Sequence, residues 1–341
     1  MFRRISMLDL LAPQSRIDPS VLMRDGSFAW WYLDLVDEDG DGLVLIWAFA
    51  LPFLPGKGPS SDQPSLALSV YKDGQVDFVL LTELDEGQFT EKGWGMGRSV
   101  FEQESRDGVL HLLAELDIDT PKGPITGTIR VQGPELAAPQ GATDGSGAVH
   151  GWSPQMGMGN AQAQLRCADW SVELDGECYR DRNFCTRPLD KLGISRWVWG
   201  RAAIDGALLV WYLVEGEHAS SRVFLEREGR LDEIQVQVEY DGWRRDRYGL
   251  PWAASVHIVG DGVDLQVTQA SPLDHGPFYL RHPIQAVLNG RPGRGWGELV
   301  VPDKLDQPWL RPFVNMRTQR LNGNSLWLPL FAGPRPLLRW L

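Results

Sequence analysis

The sequence predicts an all-β protein, and three features of its 341 residues indicate this class. Short runs of β-branched and aromatic residues recur along the whole chain, and such residues favour strands. The runs follow each other at intervals of about ten residues, separated by Gly, Asp, Asn or Pro, which is typical of antiparallel sandwiches and barrels. Few segments show the apolar period of about 3.6 residues that marks a long amphipathic helix. We therefore expect antiparallel β domains with few short helices.

The individual strands can be assigned to these runs in chain order. In the first half the runs are FAWWYLDLV, DGLVLIWAFAL, SLALSVY, VDFVLLTEL, VLHLLAELDI and GTIRVQ. In the second half they are SRWVWGRAAI, ALLVWYLVEG, SRVFLER, IQVQVEY, ASVHIVG and VDLQVTQ. Short helical turns are expected at Val21–Arg24 and within Asp303–Met316.

Two β domains are predicted, because a segment without aromatic residues divides the chain near its middle. Gly133–Ala148 is rich in Gly, Ala and Pro, a composition typical of a loop or linker. A Trp-rich hairpin pattern occurs on each side of it, and the chain length also favours about two domains. We place the N-terminal domain at residues 1–165, including the linker, and the C-terminal domain at residues 166–341.

Charge and composition disfavour several classes of function. The net charge of −12 argues against a nucleic-acid partner and against electrostatic docking on anionic lipid. The three cysteines cannot all pair within one chain, and no spacing of Cys and His indicates a metal site, so a reducing cytoplasm is expected. No apolar run has the roughly 18–20 residues of a membrane span, and the N-terminal MFRRISMLDLLAPQ lacks the pattern of a secretory signal. The 15 tryptophans suggest an aromatic-lined cavity.

Common catalytic and cofactor motifs are not matched. DEDGDG at Asp37–Gly42 begins like a calcium loop, but its twelfth position is Ala48, where a bidentate Glu is needed. GMGNAQ, starting at Gly157, lacks the last glycine of a dinucleotide loop. The chain has no Walker loop, HExxH or GxSxG motif.

The strongest candidate site is the stretch YRDRNFC. On a strand, Tyr179, Asp181 and Asn183 share one face, and Arg180 and Arg182 point to the other. Facing a cavity, Asp181 would lie between a phenol and an amide that can hold it by hydrogen bonds. The alternative is a surface strand in which Asp181 forms a salt bridge with an arginine.

A second cluster, AVHGWSP, follows the linker. His150 and Trp152 are two residues apart, so an extended chain presents both on one side. The alternative for His150 is a half-buried histidine in a loop.

Together these motifs resemble the carotenoid 1,2-hydratases, also called hydroxyneurosporene synthases. The resemblance is carried by HGWSP, then YRDRNFCTRPL, then RWVWGR, and it extends to VPDKLDQPWLRPFVNMR and to WWYLDL near the N-terminus. It implies two tandem lipocalin-like β domains, in a superfamily that also includes decalin-forming Diels–Alderases. It further implies His150, Trp152, Tyr179 and Asp181 at the active site, with Asp181 as the acid. Cys185 departs from the pattern, because a glycine usually stands there.

The implied reaction is hydration of a terminal double bond of an acyclic carotenoid, without a cofactor. Asp181 would protonate the alkene to a tertiary carbocation, which requires a pKa raised well above the ordinary value of about 3.9. Trp152, Trp197 and Trp199 would keep water away and face the cation. His150 would take a proton from the incoming water or bind Asp181, and Tyr179 would position that water.

Three alternatives remain open from the sequence. The same pocket would suit a terpene cyclase, a pericyclase of the Diels–Alderase type, or a non-catalytic carrier of apolar ligands. Glu298 is a spare acid, expected to face the interior of the second domain. Because a carotenoid dissolves in membranes, contact with the inner membrane surface is also expected. The apolar C-terminal LWLPLFAGPRPLLRWL would serve either this docking or the packing of a final strand.

Overall fold

A computed structural model describes residues 19–51, 53, 58–136, 150–217, 219–227 and 230–338, and these are mostly strand. The strands up to the middle of the chain are β1 (Phe28–Val36), β2 (Gly42–Phe49), β3 (Pro64–Lys72), β4 (Gln75–Glu83), β5 (Gly87–Phe89), β6 (Gly93–Met96), β7 (Ser99–Arg106), β8 (Val109–Ile118), β9 (Ile125–Pro134), β10 (Gly151–Cys167) and β11 (Trp170–Cys185). The later strands are β12 (Ile194–Ile204), β13 (Ala207–Gly216), β14 (Ser220–Arg227), β15 (Arg230–Ile234), β16 (Val236–Arg245), β17 (Pro251–Gly260), β18 (Val263–Gln269), β19 (Asp274–His275), β20 (Tyr279–Leu288), β21 (Arg291–Val300), β22 (Thr318–Gln319) and β23 (Gly333–Pro334).

Helices are short and few among the described residues. They are α1 (Pro19–Leu22), α2 (Arg311–Asn315), α3 (Leu328–Phe331) and the 3₁₀ turns Ser60–Asp62, Leu189–Lys191 and Pro302–Lys304. None of the described helices is long and apolar enough to cross a membrane. The predicted all-β class with short helices is confirmed. The N-terminal stretch examined for a signal lies outside the described residues, as does most of the predicted linker.

The strands form two large sheets. The first has the order β22-β4-β3-β2-β1-β11-β10-β9-β8-β7-β6-β5, with β23 also paired to β4. The second has the order β15-β14-β13-β12-β21-β20-β18-β17-β16, with β19 paired to β20. Neighbouring strands are antiparallel throughout, except that β22 runs parallel to β4.

The change from one sheet to the other does not occur at the predicted domain boundary. The division at 165/166 falls inside β10, and β11 pairs with both β10 and β1. The chain crosses to the second sheet between Cys185 and Ile194 and returns to the first through β22 and β23. β10 is not among the strands predicted from the sequence, because it is rich in Gly, Ala and Gln and its strand conformation comes from pairing with β9 and β11. The glycines of GMGNAQ serve close packing, since a Cβ on Gly159 would lie 2.6 Å from the carbonyl oxygen of Gln132.

Buried apolar residues form three cores, and the middle core positions the candidate site. One core lies within the first sheet and includes Trp31, Trp47 and Trp94. Another lies within the second sheet and includes Trp211 and Trp252. Between the sheets lies a third, which we call the middle core, and it contains the alternate residues of β1, β11 and β12. Each buried large apolar side chain stabilises the fold by roughly 1.5–3 kcal/mol.

Candidate active site

Asp181 lies in the middle core, on the central strand pair of the first sheet. On β11 it is directly opposite Tyr32 of β1. Its side chain is buried, with 2% of the residue exposed. Oδ2 accepts hydrogen bonds from Trp152 Nε1 at 2.8 Å and from the Tyr179 hydroxyl at 3.2 Å, and Oδ1 accepts one from Asn183 Nδ2 at 2.8 Å.

This environment raises the pKa of the Asp181 carboxyl to about 8. Burial is the main cause, because it disfavours the charged form, and the nearby carboxylates of Glu298 and Asp34 act in the same direction. The hydrogen bonds from Trp152 and Tyr179 oppose the rise, since they stabilise the anion. The carboxyl is therefore largely protonated at neutral pH, unlike an exposed aspartate.

The arginines on either side of Asp181 in the chain point away from it, as alternation predicted. Arg180 lies in the core of the first sheet, with its guanidinium 5.5 Å from the ring of Trp47 and 5.6 Å from that of Trp94. Arg182 lies 5.5 Å from the ring of Phe184. The alternative of an exposed aspartate in a salt bridge with an arginine is thus wrong.

His150 occupies an aromatic pocket beside this cluster and does not bind Asp181 directly. Its Nδ1 shares a hydrogen bond with the Tyr212 hydroxyl, and its ring centroid lies 4.9 Å from Trp197 and 5.5 Å from Trp30. Tyr212 in turn stacks on Trp152 at 5.0 Å. Burial lowers the pKa of His150 to about 3, so the imidazole is neutral and a weak base.

Trp197 and Trp199 on β12 cover the cluster from the second sheet. Trp197 stacks on Trp30 at 6.0 Å with the rings 9° apart. Trp199 contacts Tyr32 at 5.1 Å and Tyr179 at 5.7 Å. Both tryptophans are buried, and neither indole N–H has a hydrogen-bond partner among the described residues.

An apolar cavity of about 150 Å³ lies between the sheets next to this cluster. Trp30 and Trp197, which contact His150, form part of its wall. The other apolar side chains of the wall are Val44, Ile46, Phe53, Ala67, Val79, Leu80, Leu81, Pro277, Phe278, Val300, Val314 and Phe331. Asp181 is not part of this wall. A larger groove of about 560 Å³ on β7–β10 is lined by charged and polar side chains, which do not suit an apolar ligand.

A buried polar network that sequence reasoning missed lies at one end of the cavity. Arg281 pairs with Glu298, and its Nη1 donates a hydrogen bond to the Tyr32 hydroxyl at 2.9 Å. That hydroxyl donates to Asp34 Oδ2 at 3.0 Å, and Asp34 pairs with Arg201. Alternation along β1, which places Tyr32 and Asp34 on one face, was the available signal.

The sequence suggested that Glu298 faces the interior of the second domain. In the structure its side chain lies on the opposite face of β21 from the core of the second sheet. Its neighbours at two-residue spacing, Trp296 and Val300, belong to the middle core, whereas Leu299 belongs to the core of the second sheet. Strand alternation therefore turns Glu298 toward the first sheet and the cavity.

The carotenoid hydratase family model, described as Carotenoid hydratase CrtC, matches residues 63–326, which include β11, β12 and the hydrogen-bonded group of Trp152, Tyr179, Asp181 and Asn183. The chain belongs to the carotenoid hydratase family. The resemblance read from the sequence motifs is thereby confirmed. Membership makes the protein a hydro-lyase and implies an apolar carotenoid as its class of substrate, which disfavours the non-catalytic carrier.

Curated relatives of this carotenoid hydratase family member cover most of the chain. An acyclic carotenoid 1,2-hydratase of Rubrivivax gelatinosus is 27% identical over 84% of this chain and 73% of its own length. A hydroxyneurosporene dehydrogenase of Chlorobaculum tepidum is 22% identical over 90% of this chain and 91% of its own.

Solved structures with a similar fold confirm the lipocalin-like architecture. A putative AttH of Nitrosomonas europaea has a TM-score of 0.61 and 16% identity, covering 87% of this chain and 98% of its own. CghA with Sch210972 has a TM-score of 0.57 and 12% identity, covering 86% and 96%. Kievitone hydratase of Nectria haematococca has a TM-score of 0.53 and 9% identity, covering 85% and 94%. At these identities the likeness concerns the fold.

The hydratase fold brings together all the residues predicted for the site. Tyr179, Asp181, Asn183 and Trp152 form one hydrogen-bonded group, His150 and Trp197 a neighbouring aromatic group, and Trp199 contacts the first group through Tyr179. Tyr212, which connects His150 to Trp152, was not predicted. Cys185, the departure from the family pattern, is buried at the end of β11 with strand conformation.

Proposed function

We propose that the protein adds water to a terminal carbon–carbon double bond of an acyclic carotenoid and needs no cofactor for this reaction. The observation that carries the proposal is the Asp181 carboxyl, which is buried, forms no ion pair with an arginine of the described residues and is largely protonated at neutral pH. A neutral carboxylic acid is a proton donor, and an ionised one is not.

The reaction begins with proton transfer from Asp181 to the less substituted alkene carbon. The π electrons form the new C–H bond, and the other carbon becomes a tertiary carbocation. The hydrogen bonds from Trp152 and Asn183 then stabilise the carboxylate that remains, because both are N–H donors to its oxygens. A water oxygen adds to the cation and loses a proton to solvent while Asp181 takes one up, which leaves a tertiary alcohol and the acid in its starting form.

Tryptophan and tyrosine rings are suited to stabilise this cation. Trp197 and Trp30 line the cavity with nearly parallel rings, and Trp199 packs edge-on against the ring of Tyr32. A cation over a desolvated indole face gains about 2 kcal/mol. The apolar remainder of the cavity would hold the hydrocarbon end that carries the double bond.

We also propose that the protein docks from the cytoplasm on the membrane that dissolves its substrate. Near α3 the side chains of Leu326, Trp327 and Leu337 are exposed by 97%, 57% and 77%. On the inner side of the same segment, Phe331 lines the cavity. An apolar surface beside the cavity wall would let one end of a long polyene pass from the bilayer into the protein.

The function can be tested by incubating the purified protein with lycopene or neurosporene in deuterated water. The expected product is a tertiary alcohol with one deuterium on the neighbouring carbon. A cyclised hydrocarbon without added oxygen would indicate a terpene cyclase, and a rearranged product without deuterium a pericyclase; either would overturn the proposal.

A further inference from the structure

The middle core holds a second carboxylate that the proton-donor step does not use. Glu298 lines the cavity, whereas Asp181 is not among its lining residues. Arg281 pairs with Glu298 Oε1, and Tyr32 and Tyr279 lie around the pair. The Glu298 carboxylate is thus oriented by a guanidinium in the wall of a mainly apolar cavity, whose other charged lining residues, Asp274 and Arg317, pair with each other.

The two carboxyl groups are connected through Tyr32. Asp181 and Tyr32 are directly opposite each other on β11 and β1, so their side chains share one face at about 5 Å between Cβ atoms. The Tyr32 hydroxyl accepts a hydrogen bond from Arg281, the partner of Glu298. A substrate end that reaches Asp181 from the cavity would therefore have Glu298 nearby.

Hydrogen-bonding capacity remains unused at this end of the cavity. Arg281 Nε is buried and has no partner among the described residues, and the same holds for the indole N–H of Trp197 in the cavity wall. Arg281 and the hydroxyls of Tyr32 and Tyr279 contact the Glu298 carboxylate, which offers about four acceptor positions and so has capacity for a further donor. A water molecule here would find both an acceptor and donors.

His150, the base expected from the sequence, is less suited to accept a proton. Burial lowers the pKa of His150 to about 3, and its Nδ1 is already bonded to Tyr212. Burial raises the pKa of Glu298, and the contact with Arg281 opposes this rise without removing it. Glu298 is therefore the stronger base of the two.

We propose that Glu298, oriented by Arg281, binds the water molecule that captures the carbocation and accepts its proton. This inference rests on the proposed hydration. Asp181 loses a proton to the alkene, the water oxygen forms the C–O bond, and one water proton goes to Glu298. Glu298 then releases that proton to solvent while Asp181 takes one up, so the net change is the addition of one water.

The test is the ratio of deuterium exchange to hydration in deuterated water. A cation that is not captured returns a proton to the Asp181 carboxylate, so recovered alkene carries deuterium. With Glu298→Gln we expect hydration to fall by about 10²-fold or more relative to exchange, because the second step alone is impaired. Glu298→Asp keeps a carboxylate as the partner of Arg281 but moves it away from the water, so the ratio of exchange to hydration should rise in this variant too.

Glu226→Gln is the matched control. Glu226 is also a buried glutamate with a hydrogen bond, which it accepts from the Met158 backbone N–H, but it does not line the cavity. Its replacement should leave the ratio of exchange to hydration unchanged. An unchanged ratio in both Glu298 variants would overturn the inference while leaving Asp181 as proton donor, whereas absence of both exchange and hydration in the unmodified protein would overturn the hydration itself.

Discussion

Arg180 and Asp181 are consecutive in the chain, yet their side chains lie in different cores. Arg180 is in the core of the first sheet, over Trp47 and Trp94, and Asp181 is in the middle core, bonded to Trp152. Strand alternation accounts for this separation. As a result, Arg180 does not form an ion pair with Asp181, although the two residues are neighbours in the sequence.

Replacing Asp181 by Asn should abolish turnover and preserve the fold. Asn has nearly the same shape, but it cannot donate a proton to an alkene, and loss of a general acid costs about 10²- to 10⁴-fold in rate. The measurement is the yield of tertiary alcohol from lycopene, with circular dichroism to confirm folding. Asp175→Asn, an exposed change on the same strand, should keep full activity. Hydration by the Asp181→Asn protein would remove Asp181 from the mechanism.

The rate should fall as pH rises through about 8. The active form of Asp181 is protonated, and this form is lost above its pKa of about 8. We expect the rate to decrease about tenfold per pH unit on the basic side. Trp152→Phe removes a hydrogen bond that lowers this pKa, so the descending limb should move to higher pH. A flat profile between pH 6 and 10, with the protein folded, would contradict a titrating acid.

The same pKa has a consequence for stability that serves as a cross-check. Folded Asp181 keeps its proton up to a pH of about 8, whereas the unfolded chain releases it near pH ~3.9. Between these values the folded state binds more protons, so the contribution of Asp181 to the free energy of unfolding decreases as pH rises. Urea titrations at several pH values should show this decrease in the unmodified protein and a smaller one in Asp181→Asn.

Trp197→Leu should lower kcat more than it raises KM. The substitution keeps an apolar side chain in the cavity wall but removes the ring that would face the cation, a loss of about 2 kcal/mol or roughly 30-fold. Trp197→Phe should restore most of the rate. Trp243→Leu, at a 49% exposed position on β16, is the control and should change neither constant. Equal rates for the Leu and Phe variants would exclude a role for the ring in the transition state.

Two buried arginines should respond in opposite ways to replacement by Met. The guanidinium nitrogens of Arg180 have no hydrogen-bond partner among the described residues, so Arg180→Met should leave the free energy of unfolding unchanged or raise it by up to about 4 kcal/mol. Arg201→Met would leave Asp34 buried without its partner and should lower the free energy of unfolding by about 3–5 kcal/mol. Urea unfolding measures both, and equal destabilisation would show that Arg180 is paired.

Exposed apolar side chains near α3 should mediate membrane binding. Replacing Leu326 and Trp327 by Ser should reduce co-sedimentation with neutral phospholipid vesicles, because these exposed side chains provide the apolar area that would be buried in the bilayer. Activity on detergent-dispersed substrate should be unaffected, since neither side chain lines the cavity. Trp243→Ser, at an exposed tryptophan on β16 of the second sheet, provides the control. Undiminished vesicle binding by the double variant would place the docking surface elsewhere.

The elements that could be predicted are those whose local pattern agrees with their final environment. β1, β8, β13 and β18 have the bounds expected from their apolar runs, because these runs are flanked by turn residues. β10 could not be recognised, since its small residues are held by neighbouring strands and not by their own preference. Pairing of β11 with β1 is a long-range contact that no local pattern reveals.

For the candidate site, the sequence grouped Asp181 with its nearest hydrogen-bond partners but not with its wider surroundings. Spacing of two on a strand was sufficient to group Tyr179, Asp181 and Asn183. Tyr212, Tyr32 and Arg281 come from strands far apart in the chain, and only the packing of two sheets brings them together. The facing of Glu298 depended on which side of β21 meets the first sheet, which alternation alone leaves undecided.

β22 and β23 join the end of the chain to β4, although the residues between build the second sheet. The covalent crossing at 186–193 is therefore only one of two links between the halves. After cleavage within 186–193, the two fragments should stay associated, because β22 and β23 of one fragment pair with β4 of the other. The same two fragments produced from separate genes should therefore assemble into the enzyme by complementation.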